Sequence, residues 1–152
     1  DAALESWTGP EHTHKDYSMN SCWYEIKTIS SGKESVRISS LEQLDSDIDG
    51  SLIVYSLERM SPSFNGIKLN DLVAQIIDLI PIAIQRDLFL AKLELYGYDF
   101  SPEYDNFVFA VTDCVSYKVI EGFPRLVRRD IPISVSRIQY EIILSEIETF
   151  KV

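Results

Sequence analysis

Cys22-Trp23-Tyr24-Glu25-Ile26-Lys27-Thr28 reads as a β-strand that carries an acid and a base on one face. Side chains alternate across a strand, so Trp23, Glu25 and Lys27 share one side while Cys22, Tyr24 and Ile26 share the other. A carboxylate and an ammonium therefore stand next to each other. Upstream, His14-Lys15-Asp16-Tyr17-Ser18-Met19 is a short segment that the turn-favouring pair Asn20-Ser21 separates from the strand. Folded as a hairpin, the two arms bring Asp16 level with Glu25 and Lys27.

Outward from this strand, Ser31-Gly32-Lys33 is a turn and residues 34–39 the next strand, with Val36 and Ile38 on one face. Ser39 or Ser40 then caps a short helix. Ser40 followed by Gln43 fits a capping box leading into Leu41 and Leu44. Asp45, Asp47 and Asp49 before Gly50 lack the Glu that a calcium loop needs, since that position is Ser56, and they read as an acidic turn. Residues 51–57 form an apolar run that predicts a strand buried on both faces beside the first.

After the loop Ser61–Gly66 the period becomes helical. Leu69, Leu72, Val73, Ile76, Ile77 and Ile80 make one stripe. Ile84, Leu88, Ala91 and Leu95, with Phe89 and Leu93 adjoining, make the broad face of a second helix that ends at Gly97. Pro81 in the joint predicts a helical hairpin or bent pair packed on the sheet. Residues 106–120 alternate with an interruption near Asp113, which predicts a long hairpin arm or two strands with a bulge. Residues 137–144 are a further strand, and 145–150 a short helix. The chain is thus read as a single domain over 1–152, or a C-terminal fragment of one. It has core strands over 16–58, a helical pair over 69–96 and a strand-rich part over 106–152.

The 152 residues are 45% hydrophobic and 25% charged, an ordinary globular composition long enough to bury a core. No apolar run approaches the roughly 20 residues that span a bilayer, and no signal segment opens the chain, so a cytoplasmic protein without membrane contact is expected. The two cysteines, Cys22 and Cys114, are expected to be buried, reduced thiols. A net charge of -10 opposes nucleic-acid binding. Its distribution softens the objection, because residues 41–105 hold 12 acids against 4 bases and residues 106–152 hold 6 of each. Arg125, Arg128, Arg129 and Arg137 against Glu121 and Asp130 form a locally basic patch. It is either a phosphate-backbone contact or a solvated charged loop.

Asp16, eight further residues, then Glu25-Ile26-Lys27 resembles the signature of the PD-(D/E)xK nuclease superfamily, with Lys15 where that signature has proline. Trp7-Thr8-Gly9-Pro10, Glu25-Ile26-Lys27-Thr28, Val36-Arg37-Ile38-Ser39-Ser40-Leu41-Glu42-Gln43-Leu44 and Glu121-Gly122-Phe123-Pro124-Arg125-Leu126 are more specific. They resemble the C-terminal half of a bacterial family of PD-(D/E)xK motif proteins associated with phage-defence genes. The resemblance implies an α/β fold, a restriction-endonuclease-like mixed sheet flanked by helices with additional C-terminal strands. It also implies a DNA endonuclease of restriction or phage defence.

Such chemistry requires a divalent cation, because a phosphodiester resists attack until its oxygens are neutralised and a water is activated. Mg2+, or alternatively Mn2+, would be held by Asp16, Glu25 and the main-chain carbonyl of Ile26 at about 2.1 Å. Lys27 would stabilise developing charge or orient the attacking water. In related nucleases a Gln or Lys on the helix after the third strand often joins the site, which gives Gln43 a second reading beside the cap. Arg125, Arg128 and Arg129 are the candidate nucleic-acid contacts. His12 and His14 lack a third partner as metal ligands and read as exposed. Related nucleases carry a helix, often with another acid, before the first strand. Only fifteen residues precede Asp16 here, and the chain begins with Asp, so a fragment is expected. Glu5 and Glu11 read as surface acids or as stand-ins for the missing acid. Lys27→Ala is expected to leave folding nearly intact and to lower cleavage by orders of magnitude. DNA is the expected partner, with other defence-system subunits or a second copy as further ones. The alternative function is a nuclease-fold module kept for protein interaction or assembly without catalysis of its own.

Overall fold

The computed structural model describes residues 2–11 and 14–152. Two short elements lead into the central strand: α1 (Ala2–Ser6), and β1 (Tyr17–Ser18), which runs antiparallel to β2 (Trp23–Ser30). In that hairpin Tyr17 lies opposite Tyr24 and Ser18 opposite Trp23. The next strand, β3 (Ser35–Ile38), belongs to a separate ladder. After it comes a 3-10 turn, Leu41–Gln43, and then β4 (Gly50–Met60), parallel to β2 with Glu25 beside Leu52 and Lys27 beside Val54. Helices α2 (Leu69–Leu79) and α3 (Ala83–Leu95) follow, then β5 (Val108–Val119), antiparallel to β4, and β6 (Tyr140–Ile143), antiparallel to β3. The result is a mixed four-stranded sheet, β1-β2-β4-β5, plus a two-stranded ladder, β3-β6, with helices beside them. This is the α/β restriction-endonuclease-like arrangement expected.

Residues 106–120 resolve into one strand with a bulge. Asp113 pairs with Ser56 and Val111 with Leu57, leaving Thr112 as the extra residue, its hydroxyl bonded to the Ser56 carbonyl at 3.1 Å. The further strand begins at Tyr140, later than the expected 137, and the tail from Leu144 to Phe150 is 3-10.

The core lies on one face of the large sheet. Trp23, Ile29, Leu52, Val54, Tyr117 and Val119 pack there with Val36, Ile38 and Ile142 of the ladder, and with Leu44, Phe123 and Ile147. The opposite face is less covered, which corrects one expectation. Leu52 and Val54 of β4 are buried, but Ile53 and Tyr55 are only half-buried, so the strand is not buried on both faces. Cys114 lies opposite Tyr55 on this open face and is exposed, and Cys22 is half-buried; both are free thiols, but neither is buried.

The helices also turn differently from their apolar pattern. Phe89 and Lys92 of α3 face inward with Gln85 and Leu93 half-buried, whereas Ile84 is 74% and Leu95 60% exposed. Lys92 decides the rotation. It is 5% exposed, its ammonium donates to the carbonyls of Leu4 (3.1 Å) and Trp7, and it pairs with Glu11 at 3.1 Å. A buried ammonium needs such partners, and the ends of the N-terminal segment provide them. In α2, Leu69 and Leu72 are exposed and Val73 is buried. Asn70 is buried as well, bonded to the Ser101 carbonyl (2.9 Å), Asp105 (3.0 Å) and the Tyr98 hydroxyl (2.9 Å). The main packing of the pair is α3 on the turn Gly9–Glu11 and α2 on the turn Pro102–Asn106.

Candidate active site

Glu25 projects from β2 toward the core side, level with the end of the short β1, where a charge would normally be excluded. Its side chain is 3% exposed, and Lys27 Nζ reaches Glu25 Oε1 at 2.8 Å. The same ammonium donates to Gln43 Oε1 at 3.0 Å, which also accepts from the Ser39 N–H at 2.8 Å. The capping box expected of Ser40 and Gln43 is not formed as such. Gln43 reaches back to the main chain before its turn and meets Lys27, while Ser40 makes no side-chain cap bond.

Asp16 enters from the hairpin. β1 ends at the Tyr17 pair, so the edge of β2 beyond it is free, and the Ile26 N–H donates to Asp16 Oδ2 at 2.8 Å instead of to a strand. The N–H and C=O of one strand residue point to the same edge. The Ile26 carbonyl thus also faces the Asp16 side. Asp16, Glu25, Ile26, Lys27 and Gln43 meet at one edge of the sheet.

Burial is the main force pushing the Glu25 carboxyl up to about 7; the Lys27 hydrogen bond and charge oppose it, and the Asp16 charge adds to it. One ammonium does not compensate the buried acid. The donors are hard oxygens, and a small divalent cation is commonly held by one or two carboxylates with waters and substrate phosphates completing the shell. Asp16, Glu25 and the Ile26 carbonyl fit that set. Among the described residues no group of three or more His, Cys, Asp or Glu side chains converges. Glu11 is engaged by Lys92, Glu5 is exposed, His14 is exposed, and His12 lies outside the described residues.

Three contributors were not visible in the strand motif. Lys15 donates to the carbonyls of Glu42 (2.7 Å) and Asp45 (2.8 Å) and sits 4.7 Å over the Trp23 ring, tying the Asp16 segment to the turn that carries Gln43. Desolvation pulls its ammonium below the ordinary lysine range, with Glu25 and Asp45 pulling back. The Thr8 and Gly9 N–H groups donate to the Asp16 carbonyl at 2.9 and 3.1 Å, and the Thr8 hydroxyl to the Lys15 carbonyl at 3.1 Å. Tyr96, just past α3, brings its hydroxyl to Asp16. The Trp7-Thr8-Gly9-Pro10 block gave a signal for the second of these. Nothing local signalled Tyr96.

The arginines divide. Arg125 is half-buried, and its guanidinium donates to the carbonyls of Leu44 (2.7 Å) and Ser46 (3.2 Å), so it fastens its loop to the acidic turn. Arg128 is exposed; its N–H meets Asp45 Oδ2 at 2.8 Å and its guanidinium the Val135 carbonyl at 2.7 Å. Arg129 is exposed, 3.9 Å from Asp130. Asp45 and Asp47 line the same cleft as all three, so the patch is of mixed sign.

Residues 1–145 match the family described as "Putative PD-(D/E)XK family member, (DUF4420)". The chain belongs to this PD-(D/E)XK family. No curated protein matches it, and no solved structure matches it. No helix among the described residues is long and apolar enough to cross a membrane.

Proposed function

We propose that this PD-(D/E)XK protein is a divalent-metal-dependent DNA endonuclease, with Mg2+ or Mn2+ as the ion and restriction or phage defence as its setting. The observation that carries the reading is the meeting of Asp16 and the buried Glu25–Lys27 pair at the open edge of β2. Asp16, Glu25 and the Ile26 carbonyl would hold the cation. When bound, it neutralises phosphate oxygens and lowers the pKa of a coordinated water. Lys27, steered by Gln43 Oε1, keeps its ammonium where charge develops on the phosphate or where it can orient the water. Glu25 is best ionised when a cation replaces the solvation that burial removed. Arg128 and Arg129 are the candidate backbone contacts; Arg125 supports them from beneath.

The test is cleavage of DNA by the purified protein with Mg2+. Asp16→Asn and Lys27→Gln should each lower the rate by orders of magnitude while a melting curve shows a folded chain. Equal cleavage by Lys27→Gln, or cleavage without divalent metal, sinks the proposal.

A second reading is favoured by the apolar outer faces of the helices, where Leu79 is 81% exposed along with Ile84 and Leu95. On it the chain is an interaction or assembly module, joined to other defence-system subunits or to a second copy. Absence of metal binding together with a stable complex in sizing experiments would favour that reading.

A further inference from the structure

The end of α3 sends a protic group to the acidic site that the signature does not contain. The helix closes with a Schellman arrangement: Gly97 N–H donates to the Glu94 carbonyl at 2.8 Å and Tyr98 N–H to the Leu93 carbonyl at 3.0 Å, with Gly97 at φ +83°. This fixes Tyr96 as the last residue before the reversal. Its ring stacks on Trp7, centroids 5.8 Å apart, and Trp7 also leans on Phe89 at 6.0 Å. Lys92, one turn earlier on the same face, clamps α3 to the carbonyls of Leu4 and Trp7. The Tyr96 hydroxyl is therefore delivered to a set place by a helix end, a stacked ring and a buried ammonium.

That place is against Asp16. A Cβ on Gly9 would collide with the Tyr96 hydroxyl and crowd Asp16 Oδ1 at 3.1 Å, so the two oxygens converge over the bare Cα of Gly9. The hydroxyl thus stands beside Asp16 Oδ1, close enough to feel the charge of that carboxylate. Ile26 N–H already holds the other oxygen, Oδ2.

We propose that Tyr96 is a positioning residue for Asp16, its hydroxyl and the Ile26 N–H gripping the two carboxylate oxygens so that one orientation is presented to a cation. The role in metal binding rests on the nuclease reading above, whereas the grip itself does not. A phenol is protonated at neutral pH, so the hydroxyl is available as a donor. Outer groups that orient a metal-ligating side chain typically set affinity by 10- to 100-fold.

The experiment compares wild type, Tyr96→Phe and Asp16→Asn as full chains. Tyr96→Phe keeps the ring on Trp7, so its melting temperature should match wild type. In metal-free protein the Ile26 amide proton resonance reports the bond to Asp16, and it should shift in Tyr96→Phe in the direction seen for Asp16→Asn. Mn2+ binding, measured by calorimetry, should weaken about tenfold in Tyr96→Phe and vanish in Asp16→Asn. An unmoved Ile26 amide overturns the proposal whatever the Mn2+ result, and so does Mn2+ affinity unchanged by Tyr96→Phe. A shifted amide in a chain whose wild type binds no Mn2+ leaves the grip standing and instead removes the metal-dependent nuclease reading.

Discussion

Glu25 gives the fold a pH dependence of definite sign. Its carboxyl is raised by burial to about 7, above the value near 4.5 expected of an unfolded chain. Between those values the folded state holds a proton that the unfolded state has released, so stability falls as pH rises through the window and levels off above it. The span is worth on the order of 1–3 kcal/mol. Thermal melts at pH 5 and pH 7.5 should show this loss in wild type and a flatter profile in Glu25→Gln. Mg2+ should raise the melting temperature more at pH 7.5 than at pH 5, because it binds the ionised form. An equal rise at both values would separate the cation from Glu25. The same burial revises the expectation for Lys27→Ala. Removing the ammonium strands a buried carboxylate, so this substitution lowers stability at neutral pH, and Lys27→Gln is the cleaner activity probe.

At the scale of elements, the rotation of α3 makes opposite predictions for residues that look alike in sequence. Phe89 is buried against Trp7, so Phe89→Ala should lower stability by about 3 kcal/mol. Leu95→Ala removes a largely exposed side chain and should stay within about 0.5–1 kcal/mol. Chemical denaturation of the two variants decides, and equal losses would mean that the helix face has been misjudged. The loop after β5 offers a parallel contrast. Arg125→Ala strips two main-chain carbonyls of a charged donor and should lower the denaturation midpoint, while Arg129→Ala should leave it unchanged.

For the whole molecule, the proposed activity asks how a chain of net charge -10 would meet a polyanion. Binding must then depend on local cations, and Arg128 is exposed on the cleft beside Asp45 and Asp47. Arg128→Ala should weaken binding to DNA of any sequence and reduce the slope of log K against log salt by about 1. Fluorescence anisotropy across a salt series measures both. A loss of affinity without change of slope would place Arg128 away from phosphate. The exposed apolar side chains of the helices, Leu79, Ile84 and Leu95 among them, lie within residues 69–95, whereas most of the acidic excess of residues 41–105 lies outside that segment.

The order and type of the longer elements were legible in the sequence because each carries its own period: two for residues 23–30 and 108–119, helical for 69–79 and 83–95, with Gly97 as terminator; the short helix Ala2–Ser6 was not. The pairing of Asp16 with the acid-base strand was legible too, since a hairpin of that length leaves little freedom in register. Which face of each helix is buried was not. Ile84, Leu88 and Leu95 satisfy an amphipathic pattern as well as Phe89 does, and only the distant carbonyls of Leu4 and Trp7 select the face bearing Lys92. Tyr96 at Asp16, Lys15 as a strap and Arg125 as a tie were equally hidden. Each acts on a partner far along the chain, and a local pattern carries no record of which main-chain carbonyl or carboxylate tertiary packing will bring within a hydrogen bond.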